Sequence, residues 1–389
     1  MPPVQMLALA LPSLDGLEKI ALFLLMLSVL VVLHEGGHFL IARWNGVRVN
    51  DFAVGFGPPL LKWTSPRSGT NYRLNLLPIG GYCAMQGEDG RTSEAEQQRQ
   101  FREQKDSAPA TAAGPGDNFQ AKTTWQRLSI VVAGPVANFI LAYVILLVAA
   151  MTFGVASATS SSTVIGPLQD GSPGAKAGLA VGDTIDSVDG VAVNDGDVLV
   201  KKIQASAGVP LLLGFVRHGV QHTVTVVPRA DKEKGKTIGR IGFLRIQRFE
   251  RVGFFAAFPV AWLEFADQSV AQLSGMAQLV THPVERASSV SGVIGMERAA
   301  SAMQDLGWAP YLSLAAAISI ALGILNLFPF PALDGGRAAF ILAEILRGRP
   351  VDPEKEALVH VTGFALLMVL MVFVAYHDIA NIISGKGVF

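Results

Sequence analysis

Cysteine and charged residues are scarce in this 389-residue sequence. A single cysteine, Cys83, excludes an internal disulfide framework and a cysteine-based metal site. Charged residues make up only 16%, and 31 basic residues balance 31 acidic ones, so we expect no nucleic-acid partner. Half of the residues are hydrophobic and the mean hydropathy is +0.41, which is too apolar for an ordinary soluble surface. The composition therefore predicts a membrane protein.

The first apolar run, residues 20–42, contains the pattern His34-Glu35-Gly36-Gly37-His38. As a helix the run would measure about 35 Å, enough to cross a bilayer core of about 30 Å. Two histidines four residues apart on a helix point to the same side. The spacing predicts a zinc site with His34 and His38 as metal ligands and Glu35 as the catalytic base beside them. A packed, neutral pair of buried histidines is the structural alternative.

The basic residues indicate how this first span is oriented. Lys19 alone precedes it, and five basic residues follow within a short distance: Arg43, Arg48, Lys62, Arg67 and Arg73. Because positive residues are retained in the cytoplasm, we expect the N-terminus outside and the histidines near the cytoplasmic side. Acidic residues at positions 15 and 18 argue against a cleavable signal peptide.

The stretch after the first span alternates apolar and polar residues and is rich in glycine and proline. Residues 51–87 therefore predict a β-hairpin or looped sheet at the cytoplasmic membrane face, with an ordinary interfacial loop as the alternative. An open strand edge there could accept an added strand. Residues 88–122 are polar without apolar periodicity and predict a flexible cytoplasmic loop.

A second apolar run, residues 128–153, returns the chain to the outside. Gly134, Pro135 and Asn138 interrupt it early, and we assign these three residues a structural role, with Asn138 as a polar crosslink in a tight helix contact.

Residues 163–229 change to short β-rich segments with one helical stretch near 197–205. The segment 172–190 resembles a PDZ domain of the bacterial protease type. That resemblance implies a soluble α+β domain between spans that binds an extended peptide, or one that only blocks access.

Residues 251–285 are long enough to span but contain Glu264 and Asp267, so we expect an interfacial amphipathic helix. Parity supports this, since a crossing there would place the end of the next span far from the histidines. That next span, 311–328, is followed by Pro329 and Pro331, which stop the helix. Asp334 comes next, and we expect it at the depth of the histidines. Asp334 thus supplies a third, oxygen ligand for zinc, although a cap or turn role is the alternative. Residues 360–375 predict the last span.

Five motifs together make the chain similar to the site-2 protease family of intramembrane zinc metalloproteases, within it the bacterial regulator of sigma-E protease group. They are the His34 motif, the PDZ segment, Leu77-Pro78-x-Gly80-Gly81-Tyr82, Gly134-Pro135-x-x-Asn138-Phe139 and Asn326-x-x-Pro329-x-Pro331-x-Leu333-Asp334-Gly335-Gly336. The resemblance implies peptide-bond hydrolysis inside the transmembrane segment of a single-span substrate, such as an anti-sigma factor after a first cleavage or a remnant signal peptide. It also implies substrate-binding roles for Asn326, Pro329, Gly80, Gly81 and Tyr82. Well-known members carry two PDZ domains, whereas this chain has room for one.

The sequence thus predicts a polytopic α-helical membrane protein with about four transmembrane helices, a membrane-associated β-hairpin or sheet and one inserted α+β PDZ domain. The expected regions are 1–87 (first span and β region), 88–122 (cytoplasmic loop), 123–155 (second span), 160–245 (PDZ domain), 246–310 (interfacial helix and linker) and 311–389 (third and fourth spans). We expect a bacterial inner-membrane location with both termini and the PDZ domain extracytoplasmic. The competing hypotheses are a membrane-bound PDZ scaffold with a structural or vestigial metal site, and a transporter with broken helices.

Overall fold

The computed structural model describes residues 14–88, 117–156, 163–169, 171–233, 236–245, 249–282 and 292–383. Most of the loop predicted at 88–122 lies outside these residues. The α-helices are Leu14–Trp44 (α1), Thr124–Phe153 (α2), Pro173–Lys176 (α3), Gly196–Ala205 (α4), Phe254–Thr281 (α5), Val293–Leu306 (α6), Trp308–Leu327 (α7), Asp334–Arg347 (α8) and Pro353–Ile383 (α9). A short 3₁₀ helix, Phe119–Ala121, precedes α2.

The strands are Val49–Thr64 (β1), Asn71–Met85 (β2), Val155–Ala156 (β3), Ile165–Leu168 (β4), Thr184–Val188 (β5), Val191–Ala192 (β6), Leu211–Arg217 (β7), Val220–Val226 (β8), Arg229–Glu233 (β9), Lys236–Arg240 (β10), Phe243–Arg245 (β11) and Phe249–Glu250 (β12). The chain forms two compact units. The first comprises Met1–Val144, Ala266–Glu297 and Ala315–Tyr376, and the second comprises Ile145–Phe265, Arg298–Leu314 and His377–Phe389.

Four helices in the described part of the chain are long and apolar enough to cross a membrane: Gly16–Trp44, Thr124–Phe153, Trp308–Leu327 and Lys355–Tyr376. They correspond to the four predicted spans. The predicted fold class, a polytopic α-helical membrane protein with a β-hairpin and an inserted α+β domain, is confirmed. Each of these helices begins before its apolar run, because backbone hydrogen bonding also includes the polar residues that precede the run.

Helix α5 covers the ambiguous stretch and is not among these four helices. It carries exposed aromatic side chains, including Phe255 and Trp262, together with the acidic residues Glu264 and Asp267. This combination of apolar and charged groups is typical of a helix that lies in the membrane interface. The interfacial placement of α5 stays a prediction.

The hairpin β1–β2 folds back on itself, so that its two long strands make a sheet of four segments. Residues 49–54 of β1 pair with residues 81–85 of β2 on one side and with residues 71–74 on the other. Residues 71–74 also pair with residues 61–64. The segment 81–85 is therefore an outer edge of this sheet among the described residues.

The inserted domain of the second unit has a four-stranded sheet in the order β6-β5-β7-β8, with α4 supplying buried side chains. Its core consists of apolar residues that are almost fully buried: Ile165, Ile185, Leu199, Leu213 and Ile241. Each such burial contributes about 1.5–3 kcal/mol relative to an exposed side chain. Strand β4 begins two residues later than the predicted strand at 163, because Val164 makes only an isolated bridge with Thr184.

A buried ion pair ties β5 to β7 in this domain. Asp183, 1% exposed, accepts hydrogen bonds from Arg217 Nε and Nη2, both at 2.7 Å, and from the Ala180 amide at 2.8 Å. Burial alone would raise the pKa of Asp183, but the Arg217 and Ala180 hydrogen bonds outweigh it, and the pKa is lowered. The ionised carboxylate is therefore the form that stabilises the fold.

We expect Asp183→Asn to weaken the inserted domain at neutral pH. A lowered folded-state pKa stabilises the fold above the unfolded pKa of about 3.9, and this stabilisation is lost as pH falls through the folded value. Protection from hydrogen exchange in β5 and β7 of the full chain should therefore fall at pH 7, and the difference from wild type should shrink below about pH 4. Asp231→Asn is the control, because Asp231 only approaches Arg229 at 3.6 Å and Arg240 at 3.8 Å on the surface. Equal protection of the Asp183→Asn variant and wild type at pH 7 would refute the assignment.

Candidate metal centre

Helix α1 places His34 and His38 one turn apart, with both side chains buried. Their Nε2 atoms lie 3.3 Å apart and the rings meet edge to face. The four-residue spacing brings the two nitrogens together because 3.6 residues complete one helical turn.

Asp334 reaches the same point from a distant part of the sequence. Helix α7 ends at Leu327, and Asp334 is the first residue of α8 after the intervening turn. Its Oδ2 atom lies 3.1 Å from Nε2 of His34 and 3.2 Å from Nε2 of His38. Ligands held 2.0–2.1 Å from a tetrahedral zinc ion lie about 3.3 Å apart, so this donor set fits zinc in both chemistry and spacing. The three residues could hold a metal ion.

The outer nitrogen of each imidazole also has a contact. Nδ1 of His38 lies 2.8 Å from the carbonyl oxygen of Ile130, and Nδ1 of His34 lies 3.1 Å from Nδ2 of Asn138. Both partners belong to α2. Contacts of this kind orient a metal-binding imidazole and select which nitrogen carries the proton.

Two glycines allow α2 and α1 to approach closely at the histidines. A Cβ atom added at Gly134 would lie 2.2 Å from Nε2 of His38, and one added at Gly37 would lie 2.3 Å from the carbonyl oxygen of Ala133. No side chain other than hydrogen fits at either position without displacing the imidazole or the helix. Position 134 is thus a direct neighbour of His38 Nε2, a contact that the sequence-based packing role does not include.

Glu35 lies beside the three candidate ligands and lines an open cavity of about 420 Å³. His38, Asp334, Tyr82 and Cys83 line the same cavity. The cavity is large enough to admit a peptide backbone next to the carboxylate. Of the residues predicted to bind substrate, Tyr82 is in its wall, and a Cβ on Gly81 would lie 3.6 Å from Cγ of Glu35.

Asn326 and Pro329 are not among the described residues that line this cavity. Asn326 is half-buried near the end of α7 and Pro329 is exposed in the following turn. Gly80 has a positive φ of 82° and lies against the ring of Phe56. The substrate-binding roles of these residues stay predictions.

His360 is the first residue of the last apolar run, and no sequence pattern gives it a role in the site. Its Nδ1 accepts a hydrogen bond from the Ala332 amide at 2.9 Å, and Ala332 has a positive φ of 77°. A non-glycine residue in this conformation needs support from its surroundings. His360 thus helps hold the turn that delivers Asp334.

Comparison with known proteins gives the same picture over most of the chain. The family model described as Peptidase family M50 matches residues 22–370. A relative in Rhizobium meliloti (strain 1021), named as a zinc metalloprotease, is 33% identical over 377 residues, covering 94% of this chain and 98% of the relative. The zinc metalloprotease RasP of Geobacillus kaustophilus is 31% identical over 423 residues, and the regulator of sigma-W protease RasP of Bacillus subtilis is 30% identical over 422 residues. They cover 94% and 92% of this chain and 98% of each relative.

Among solved structures, the PDZ domain of an SdrC-like protein from Listeria monocytogenes is similar to part of the chain. The identity is 22% and the TM-score is 0.20, with 23% of this chain and 93% of that chain covered. The match to the family model and the length of the aligned relatives decide the assignment. The chain belongs to peptidase family M50, and it is a multi-pass membrane protein and a zinc metalloprotease of regulated intramembrane proteolysis.

Proposed function

We propose that His34, His38 and Asp334 bind the zinc ion and that Glu35 is the catalytic base for hydrolysis of a peptide bond within the membrane. The observation that carries this proposal is the mutual spacing of the three ligand atoms, 3.1 to 3.3 Å, at the wall of a cavity shared with Glu35. When bound, zinc polarises the scissile carbonyl and lowers the pKa of a water molecule towards about 7.

Glu35 performs the proton transfers in this mechanism. Its carboxylate accepts a proton from the attacking water as the oxygen bonds to the carbonyl carbon. It then donates that proton to the leaving amine nitrogen as the peptide bond breaks. Val131 and Phe364 contribute apolar surface to the wall of the cavity that Glu35 lines.

A transmembrane substrate must unwind before its carbonyl can reach the site, because a helix uses each carbonyl in its own hydrogen bonds. The outer edge of the folded hairpin, residues 81–85, contains Tyr82 and Cys83 of the cavity wall and could pair with an extended peptide. Strand addition there would hold the unwound segment. Asn326 and Pro329 are assigned to the same substrate by family resemblance.

The substrates are membrane proteins. We propose single-span segments, either an anti-sigma factor after a first cleavage or the remnant of a signal peptide. The bacterial inner membrane holds the four spans, with both termini and the PDZ domain extracytoplasmic and the zinc site near the cytoplasmic side. The basic residues after α1 support this orientation. The PDZ domain would bind an extended segment of the substrate or restrict its approach.

Metal content and cleavage of a model substrate test the proposal together. Purified protein in liposomes should contain about one zinc ion per chain and should cut a single-span peptide within its apolar segment. A chelator should abolish cleavage, and added zinc should restore it. Bound zinc without cleavage of any single-span peptide would instead favour a scaffold with a structural metal.

A Gly134→Ala change should disrupt zinc binding. The added methyl group would occupy space 2.2 Å from Nε2 of His38, so the imidazole has to leave its ligand position. Gly36→Ala is the matched control, because a Cβ added there meets nothing within 4 Å. Both changes favour the helical state by about 1 kcal/mol, so loss of zinc from the first variant alone isolates the local clash. Full zinc content in Gly134→Ala would show that the histidines have more room than the structure gives them.

A further inference from the structure

Asn138 has a contact that its predicted role as a helix crosslink does not explain. The residue is fully buried on α2, and its Nδ2 atom lies 3.1 Å from Nδ1 of His34. Its other amide atom, Oδ1, is buried without a hydrogen-bond partner among the described residues. A buried carbonyl oxygen without a partner is costly, so the orientation of this amide requires an explanation.

The chemistry of imidazole supplies an explanation for the position of the Asn138 amide. A neutral histidine binds a cation through the lone pair of one ring nitrogen, and the other nitrogen then carries the proton. His34 turns Nε2 towards His38 and Asp334, so in the metal-bound form its Nδ1 must be protonated. A protonated Nδ1 needs an acceptor, and an amide nitrogen such as Nδ2 can only donate.

His38 already has the arrangement that metal binding requires. Its Nδ1 lies 2.8 Å from the carbonyl oxygen of Ile130, which can only accept. The proton is thereby held on Nδ1, and the lone pair of Nε2 is left for the cation. His34 has no backbone carbonyl at the corresponding position among its described contacts, and Asn138 takes that place.

We propose that Asn138 is a positioning residue that selects the metal-binding tautomer of His34, with Oδ1 accepting the Nδ1 proton. A half-turn of the amide exchanges its two ends, which are nearly equal in size, and brings Oδ1 onto His34. This rotation moves only the side-chain amide and leaves the backbone carbonyl oxygen of Asn138, which accepts a hydrogen bond from the Ser319 hydroxyl at 2.8 Å, where it is. This inference rests on the zinc site proposed above.

Zinc affinity of the full-length protein in detergent tests the proposal, measured by competition with a chromogenic chelator. Asn138→Leu keeps the branched shape and the number of heavy atoms but removes the acceptor, and we expect zinc binding about 10–100-fold weaker. The ionised carboxylate of Asn138→Asp can only accept, so this variant should bind zinc at least as tightly as wild type. Ser319→Ala perturbs the same helix contact without touching the imidazole, and its zinc affinity should be unchanged. The absorption spectrum of the Co²⁺-substituted protein reports in parallel on ligand geometry.

Two results would overturn the role of Asn138 while leaving the zinc site intact. One is wild-type affinity in Asn138→Leu. The other is loss of zinc from Asn138→Asp, which would show that the amide has to donate to His34. If Asn138→Leu does not fold, the Asp variant decides alone, because the donor and acceptor roles predict opposite results for it. Absence of zinc from the wild-type protein would instead refute the proposed function itself.

Discussion

Replacing Glu35 with glutamine is expected to reduce peptide-bond cleavage by at least about 100-fold and up to about 10,000-fold, the range that a positioned general base contributes. The amide has nearly the same shape as the carboxylate but cannot take a proton from water. The three candidate ligand atoms, which lie within 4.8 Å of one another, come from His34, His38 and Asp334. Because Glu35 contributes none of them, zinc content should stay at the wild-type level. Cleavage of a single-span peptide in liposomes and metal analysis of the same sample measure both effects.

Glu18→Gln is the matched control for this experiment. Glu18 is an exposed carboxylate on the same helix α1 and lies far along the sequence from the histidines. Its loss should leave both cleavage and zinc unchanged. If Glu35→Gln cleaved the peptide at the wild-type rate, Glu35 could not be the general base, whatever the zinc content.

Replacing Asp334 with alanine is expected to remove both zinc and activity. Loss of a residue that only orients a metal ligand costs about 10–100-fold in affinity, so loss of a ligand itself should cost at least about 100-fold. The two remaining histidines supply only two of the three protein ligands that a catalytic zinc site uses. Dialysis against a zinc buffer followed by metal analysis measures the loss.

Glu88→Gln provides the comparison for Asp334. Glu88 is a carboxylate in the wall of the same cavity, where it pairs with Arg337 instead of the histidines. Its substitution should leave zinc in place. Retention of zinc by Asp334→Ala at the wild-type level would mean that another group supplies the third ligand.

The β1–β2 hairpin shows which structural features a local sequence pattern can predict and which it cannot. Alternation of apolar and polar residues between positions 51 and 87 predicted paired strands, and β1 and β2 cover these residues. The pattern could not predict that residues 49–54 lie between two segments of β2. Strand register depends on which distant segments pair, and an alternating pattern is compatible with several pairings. The position of segment 81–85 at the outer edge of the sheet, among the described residues, follows from that register.

The turn before Asp334 shows a second limit. Two prolines predicted where α7 ends, because proline cannot continue a helix. The support of the turn by His360 depends on α9 lying beside it, and no spacing within the sequence encodes that neighbour. Histidine at the start of an apolar run is compatible with an interface position as well as with a role in the site.

The sequence by itself predicted the pair of candidate ligands on α1, the carboxylate beside it and the number of spans, because helical periodicity and apolar run length are local properties. It also predicted, by counting crossings, that Asp334 lies at the depth of the histidines. Only the tertiary structure decided that Oδ2 of Asp334 lies within 3.2 Å of both imidazoles and that Ile130 and Asn138 contact their outer nitrogens. Contacts between residues about 100 to 300 positions apart arise from helix packing, which the local pattern does not specify.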